Sequence, residues 1–165
     1  MRVVCRSFIM IVLLICIMLP LHAQERFQWL GETPRGNSYF DTENVRFARD
    51  ADGNIKQGIF EVVITYEINE KGRQDAINNR KKYNLPTDGY EQFDFAVERS
   101  LYDLSGKRYC YLEIVEFSSD DSILQRVVFD QMVWYDIKPG TAGEDGLSRM
   151  KQWIEGNLDK VKSPK

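Results

Sequence analysis

The sequence predicts an α+β fold, an antiparallel β-sheet of about six strands with a C-terminal helix packed across one face. Apolar residues recur at every second position in several stretches, which is typical of half-buried strands. Turn-forming residues separate these stretches. After residue 139 the apolar spacing changes to three and four, which indicates a helix. Strands followed by one amphipathic helix favour a sheet with the helix on one side.

The first segment has the features of a secretory signal peptide. Residues 8–19 are twelve consecutive apolar residues, and as a helix they would span roughly 18 Å, less than the ~30 Å core of a bilayer. Two arginines precede this run, and a proline and a small residue follow it. We therefore expect residues 1–23 to be a signal peptide that is cleaved between Ala23 and Gln24.

Three other interpretations of this segment stay open. In an uncleaved anchor, Val3 and Val4 would lengthen the span if Arg6 reached the membrane surface. A lipoprotein signal fits less well because Cys16 lies inside the apolar run. A buried core helix fits least because the run has no polar face.

Export would leave 142 of the 165 residues, enough for one domain with a core. We expect residues 24–162 to form this domain and residues 163–165 to be a disordered tail. The mature chain would keep one cysteine, Cys110, and would lose the only histidine, His22. Without histidine, neither a Ser-His-Asp triad nor the usual zinc sites can form, so we expect a non-catalytic protein without cofactors.

The charge of the chain is mildly acidic. Its formal net charge of −3 becomes −5 when the two leader arginines are removed, with 20 basic and 25 acidic residues. Such a domain has no overall attraction to nucleic acid or to an anionic membrane. We expect no nucleic-acid partner and, after cleavage, no membrane span.

The first half of the mature chain predicts strands joined by turns. Residues 27–30 and 38–41 predict two short strands around a turn-rich link, and residues 45–49 predict a third. Asp52-Gly53 is a strong hairpin signal. The next strand has a long apolar alternation, which consists of Phe60, Val62, Ile64, Tyr66 and Ile68.

Residues 71–83 lack this alternation and predict a polar helix or a long loop. Alternation then resumes in a strand that carries Phe93, Phe95, Val97 and Leu101. A turn is expected at residues 105–107.

Residues 108–117 predict a central strand because both of its faces are apolar. Cys110, Leu112 and Ile114 would lie on one face. The other face would carry Tyr109, Tyr111, Val115 and Phe117. This strand has more apolar surface than one helix can cover, which suggests a homodimer or a partner surface. Residues 123–137 predict the last long strand.

A terminal helix follows. Thr141 and Glu144 have the spacing of a capping box, in which each side chain accepts from the backbone N–H of the other residue. The apolar stripe of this helix consists of Leu147, Met150, Ile154, Leu158 and Val161.

Several candidate sites each have a plainer explanation. Residues 50–54 resemble the start of a calcium loop, but the sixth position is Ile55 rather than glycine, which favours a hairpin turn. Cys110 is expected to be buried and unreactive, with intermolecular pairing as the alternative. Acidic residues could form a hydrolase pair, although no spacing selects two of them: Glu113, Glu116, Asp120, Asp121, Asp130 and Asp136.

Two groups are candidate partner surfaces. A basic cluster could bind an anionic glycan or simply be a solvated helix face; it consists of Arg73, Arg80, Lys81 and Lys82. Tyrosines could form an aromatic binding surface or fill the core; among them are Tyr109 and Tyr111, beside tyrosines 90, 102 and 135 and Trp134.

Short motifs resemble the bacterial surface-adhesin protein E family and its uncharacterised relatives. They are residues 39–42, the strand around residues 61–66 and residues 134–141 before the terminal helix. The resemblance implies an antiparallel sheet crossed by a C-terminal helix, an exported location in a Gram-negative-type envelope, and binding to host matrix proteins. It also implies a cysteine that tethers the last helix, which this chain lacks, so Met150 and Ile154 must hold the helix by packing.

These observations favour an exported, non-catalytic binding module, periplasmic or at the cell surface. Its partner would be a host or envelope protein, or an anionic glycan. The alternatives are a small envelope hydrolase that uses two carboxylates and a periplasmic inhibitor or accessory protein.

Overall fold

The computed structural model describes residues 26–161, which form an eight-stranded antiparallel sheet and two helices. The strands are β1 Phe27–Thr33, β2 Gly36–Asp41, β3 Arg46–Arg49, β4 Ile55–Ile68, β5 Phe93–Asp103, β6 Arg108–Ser118, β7 Ile123–Val128 and β8 Tyr135–Asp136. The helices are α1 Glu70–Lys82 and α2 Ala142–Gly156, and short 3₁₀ turns cover Thr42–Asn44 and Tyr90–Gln92. The expected signal peptide, the Ala23–Gln24 cleavage site and the 163–165 tail lie outside the described residues.

Six strands follow one another across the sheet in the order β1-β2-β4-β5-β6-β7. The short strand β3 pairs with β4, and β8 pairs with the start of β6. All of these pairings are antiparallel, and α2 packs on β1. The predicted α+β class, with a sheet of about six strands and a C-terminal helix, is confirmed.

The turns follow the chemistry of their residues. Gly36 begins β2 at φ +143, where a Cβ would lie 1.7 Å from the carbonyl oxygen of Glu67, so only glycine fits. The Asp50 carboxylate accepts hydrogen bonds from the backbone N–H groups of Asp52 and Asn54 at 3.0 and 2.8 Å. This is a hairpin turn rather than a calcium loop.

The main core lies between α2 and the sheet. Leu147, Met150 and Ile154 are buried against Phe40 and Ile64. Because β4 alternates as predicted, every second side chain from Phe60 to Tyr66 faces this core. Apolar packing therefore holds α2 on the sheet.

Asp41 is a buried carboxylate at the end of β2. It accepts hydrogen bonds from Arg26 at 2.8 Å and from the Asn44 side chain at 2.8 Å. Its oxygen also caps the 3₁₀ turn through the backbone N–H of Glu43. Burial raises the pKa of Asp41, but these hydrogen bonds outweigh it, and the pKa is lowered overall.

The predicted faces of β6 are wrong beyond Leu112. Tyr111 pairs with Ser100 and Glu113 pairs with Arg99, so Leu112 is an extra residue in a β-bulge. A bulge shifts the alternation by one residue. Beyond Leu112, Ile114 therefore joins the tyrosines on the helix side.

The prediction of one strand over residues 123–137 is also wrong. β7 ends at Val128, and Phe129 N–H donates to the Leu112 carbonyl at 3.0 Å, beside the bulge. Because the regular β6 ladder is interrupted there, the chain leaves the sheet. It returns in β8, where Tyr135 pairs with Tyr109.

Two details of the terminal helix differ from the prediction. Thr141 Oγ1 donates to the Lys138 carbonyl at 2.7 Å, and Glu144 accepts from the Gly140 N–H at 2.9 Å, so no capping box forms. The left-handed Gly140, at φ +71, turns its N–H toward Glu144. Leu158 is exposed because the helix ends two residues earlier.

The sheet face opposite the helices is only partly covered. Phe95 and Phe117 stack there with ring centroids 4.6 Å apart, beside the half-buried pair Val97 and Val115. At one end the face is covered around Cys110, which is fully buried. Burial raises the pKa of the Cys110 thiol, which suits an unreactive cysteine.

Candidate functional site

A cleft of about 840 Å³ opens on the helix side of the sheet. Its walls are α1, the β1–β2 turn, and the middle of strands β4, β5 and β6. Its volume lies in the range of small-molecule sites, roughly 300–1,000 Å³. α1 forms one wall because Asn69 caps it, accepting from the Gly72 N–H at 2.9 Å, and because Gly72 packs against Arg35 in the β1–β2 turn.

The most unusual residue in the cleft is Glu98. It lies in the middle of β5 and is only 4% exposed. The Tyr66 hydroxyl donates to its carboxyl at 2.7 Å, and Tyr102 makes a longer contact of 3.5 Å. Burial raises the pKa of Glu98, and the hydrogen bonds from Tyr66 and Tyr102 offset part of that rise.

Two further observations concern the surroundings of the Glu98 carboxyl. Within residues 26–161, no lysine or arginine forms a salt bridge with Glu98. The neighbouring Ser100 hydroxyl is completely buried, and no partner of its own meets hydrogen-bond geometry. A buried carboxyl without a cation is costly unless it is protonated or meets a positive charge from outside.

A row of tyrosines extends from Glu98 along the same side of the sheet. The centroids of Tyr102 and Tyr109 are 5.9 Å apart, those of Tyr109 and Tyr111 5.0 Å, and those of Tyr109 and Tyr135 5.6 Å. The Tyr111 hydroxyl donates to that of Tyr109 at 3.4 Å. Burial raises the pKa of Tyr111, so it is a neutral donor at physiological pH.

Arg80 closes the far end of the cleft. It donates to the Tyr90 hydroxyl at 2.8 Å, lies 4.0 Å above the Tyr90 ring, and also donates to Gln125 and to the Pro86 carbonyl. The Tyr90 hydroxyl in turn donates to Glu116. Burial, and then Glu116, raise the pKa of Tyr90. Arg80 therefore ties α1 to β7 rather than facing solvent.

The outer rim is made of paired charges. Asp75 accepts from Arg35 at 2.9 Å and from Lys71 at 3.3 Å. These side chains are exposed or half-exposed, so the pairs add little stability. These pairs do, however, hold Arg35 and Lys71, the two cationic side chains at the mouth of the cleft.

The basic cluster does not form one free surface. Arg73 donates to the Phe93 carbonyl at 2.9 Å and pairs with Glu70 at 3.2 Å. Arg80 is engaged as described, whereas Lys81 and Lys82 are exposed at the end of α1. Any contact with an anionic surface would therefore be made by Lys81 and Lys82.

Of the two candidate tyrosines on β6, Tyr111 lines the cleft and Tyr109 packs behind it against the core. Among the six candidate carboxylates, only Glu116 lines the cleft. The sequence analysis missed Glu98 and its partner Tyr66. The sequence did contain a signal for Glu98, because Glu98 lies at every-second-residue spacing with Ala96, Ser100 and Tyr102 and therefore shares their face of β5.

Within residues 26–161, no helix is long and apolar enough to cross a membrane. The same part of the chain contains no group of three or more histidine, cysteine or carboxylate side chains placed to hold a metal ion. Comparison with known proteins finds no matching family model, no matching curated protein and no matching solved structure. The cleft is therefore the feature from which a function can be inferred.

Proposed function

We propose that this chain is an exported, non-catalytic binding module of the bacterial cell envelope and that its ligand lies in the cleft. One observation carries the proposal: an open cleft lined by tyrosines with a buried carboxyl, Glu98, at its floor. Tyrosine provides a large rigid surface and a hydrogen-bonding hydroxyl at low entropic cost, which is why it is common in recognition sites. A glycan or a protein side chain would meet both features here.

The hydrogen bonds of the carboxyls favour binding over catalysis. Tyr66 donates to Glu98 and Tyr90 donates to Glu116, so each carboxyl is already held by a tyrosine of the protein. A general acid or base must come within about 3 Å of the proton that it transfers, so here it would have to share its carboxyl with a tyrosine hydroxyl. Binding requires only that the ligand fits against these groups.

Screening the purified protein against matrix proteins, lysozymes and a glycan array, with affinities from calorimetry, tests the proposal. We expect Tyr111→Ala to weaken binding of any ligand found by about fivefold or more, since loss of a well-packed aromatic contact costs roughly 1 kcal/mol or more. Tyr83→Ala is the matched control because Tyr83 is 65% exposed and lies outside the cleft. Equal affinities for both variants would place the ligand elsewhere.

Export is tested separately. Intact-mass analysis of protein recovered from the envelope should give the mass of residues 24–165. A species that retains residues 1–23 would contradict the exported location. The resemblance to the surface-adhesin family supports the same location, and binding to a matrix protein in the screen would support an adhesin-like role.

The second candidate is a small envelope hydrolase, which the placement of two carboxyls favours. Glu116 pairs with Ala96, so it lies diagonally across from Glu98 on the same face. The backbone positions of diagonal neighbours on adjacent strands are about 7–8 Å apart, so both glutamates start from the same part of the cleft, as a pair of glycosidase carboxylates must. Turnover of peptidoglycan fragments that disappears in Glu98→Gln would support this function and would exclude the non-catalytic one.

A further inference from the structure

The chemistry of the cleft points to the class of its ligand, on the premise that the cleft is the binding site proposed above. Its lining includes four carboxyls and three cationic side chains, a formal excess of one negative charge. The carboxyls are Glu67, Asp75, Glu98 and Glu116, and the cations are Arg35, Lys71 and Arg80.

All three cations already have partners. Arg35 and Lys71 share Asp75 at the rim, at 2.9 and 3.3 Å. Arg80 is held by Tyr90 and Gln125 at the far end. None of them forms a salt bridge with Glu98, so this buried carboxyl at the floor of the cleft has no cationic partner among residues 26–161.

The surroundings of Glu98 suit a cation from outside. Tyr66 and Tyr111 line the cleft with it: the Tyr66 hydroxyl donates to Glu98 at 2.7 Å, and Tyr111 pairs with Ser100, two residues from Glu98 along β5. The faces of aromatic rings carry partial negative charge and attract cations, and a carboxyl adds a counter-charge. Tyrosine rings around a buried carboxyl are a favourable setting for an organic ammonium group.

We propose that the cleft binds its ligand through an alkylammonium group seated against Glu98 and flanked by Tyr66 and Tyr111. The cleft, at about 840 Å³, is much larger than an ammonium group, so the remainder of the ligand occupies the space toward α1. The ammonium group can belong to a quaternary amine or to the primary amine of a lysine side chain.

Two charged probes and their uncharged counterparts test the assignment on the purified protein. Choline is compared with 3,3-dimethylbutan-1-ol, which has the same shape without the charge. Nα-acetyl-lysine methylamide is compared with its Nε-acetylated form. Affinities are measured by calorimetry or by ligand-observed NMR.

We expect at least one charged probe to bind about tenfold or more tightly than its uncharged counterpart, because a charge-assisted contact is worth roughly 1.5–3 kcal/mol. The probe that binds distinguishes a quaternary from a primary amine. Glu98→Gln should remove this preference, while Tyr83→Ala should keep it. The comparison within each probe pair needs only the unmodified protein, so it remains decisive even if Glu98→Gln does not fold.

Equal binding within both pairs, or no binding of either charged probe, would overturn the ammonium assignment. The proposed function would survive that result if the screen found a neutral glycan or a protein whose binding depends on Tyr111. If no ligand in the screen binds in a way that depends on the cleft, the proposed function itself is overturned.

Discussion

Replacement of Ile154 by alanine tests how α2 is held on the sheet. Ile154 is 1% exposed and packs in the main core with Met150 and Phe40. Within residues 26–161 the only cysteine is the buried, free Cys110, so no disulfide joins this helix to the sheet there. The helix depends on its apolar face.

The size of the effect follows from the atoms removed. Ile154→Ala deletes three buried carbon groups, each worth about 0.8 kcal/mol of transfer free energy, or roughly 2.4 kcal/mol. The cavity left behind raises the cost to about 3–4 kcal/mol, within the usual range for such changes in a core. That is a large fraction of the 5–15 kcal/mol by which domains are stable.

Urea unfolding followed by tryptophan fluorescence measures this loss. Trp153 is a suitable reporter because it lies on α2 with its ring 5.5 Å from that of Phe40. At about 1–3 kcal/mol per molar urea, the midpoint should fall by roughly 1–4 M. Leu158→Ala is the matched control, since Leu158 is 53% exposed, and should change the free energy of unfolding by less than about 0.5 kcal/mol. A loss below about 1 kcal/mol for Ile154→Ala, or equal losses for both variants, would refute the argument that packing holds α2.

Three further predictions concern the turn, the buried aspartate and the exposed lysines. Gly36→Ala should cost about 2 kcal/mol or more of unfolding free energy, because the new Cβ would overlap a carbonyl oxygen. Gly156→Ala is the control, since Gly156 has open space around it, and it should be nearly neutral. Equal effects of the two substitutions would contradict the steric argument. Because the pKa of Asp41 is lowered on folding, the stability it contributes is present above the ordinary aspartate value of 3.8 and is lost as pH falls through the lowered pKa. Asp41→Ala should flatten the acid side of a pH–stability curve measured in urea, and an unchanged slope would contradict this assignment. Replacement of Lys81 and Lys82 by glutamate should abolish retention on heparin at low salt, while failure of the unmodified protein to be retained would exclude an anionic-glycan surface at this end of α1.

The parts of the fold that follow local rules could be predicted from the sequence. Alternating apolar residues marked β4, and turn residues marked the hairpin at residues 50–54. The stripe of Leu147, Met150 and Ile154 identified the buried side of α2. In each case the signal lies within one element, so no knowledge of its neighbours is needed.

The site depends on contacts between elements, and these were not predictable in the same way. Glu98 is an ordinary polar residue until Tyr66 of β4 and Tyr102 of the same strand are placed beside it. Arg80 belongs to a run of basic residues, and only the packing of α1 against the Tyr90–Gln92 turn brings it to Tyr90 and Gln125. Strand register and helix placement determine both environments, and the local patterns of the sequence do not reveal either.

The bulge at Leu112 explains why the predicted faces of β6 are wrong, and it also determines which side chains line the cleft. With perfect alternation along β6, Tyr111 and Glu116 would lie on opposite faces of the sheet, because they are five residues apart. The extra residue reverses the alternation, so both line the cleft, one near Glu98 and the other near Arg80. Bulges often redirect side chains at functional sites. Deleting Leu112 would leave Tyr111 and Glu116 four residues apart, so an unbroken ladder would also keep both on the cleft face; with Leu112 present, the bulge is what keeps them on the same face.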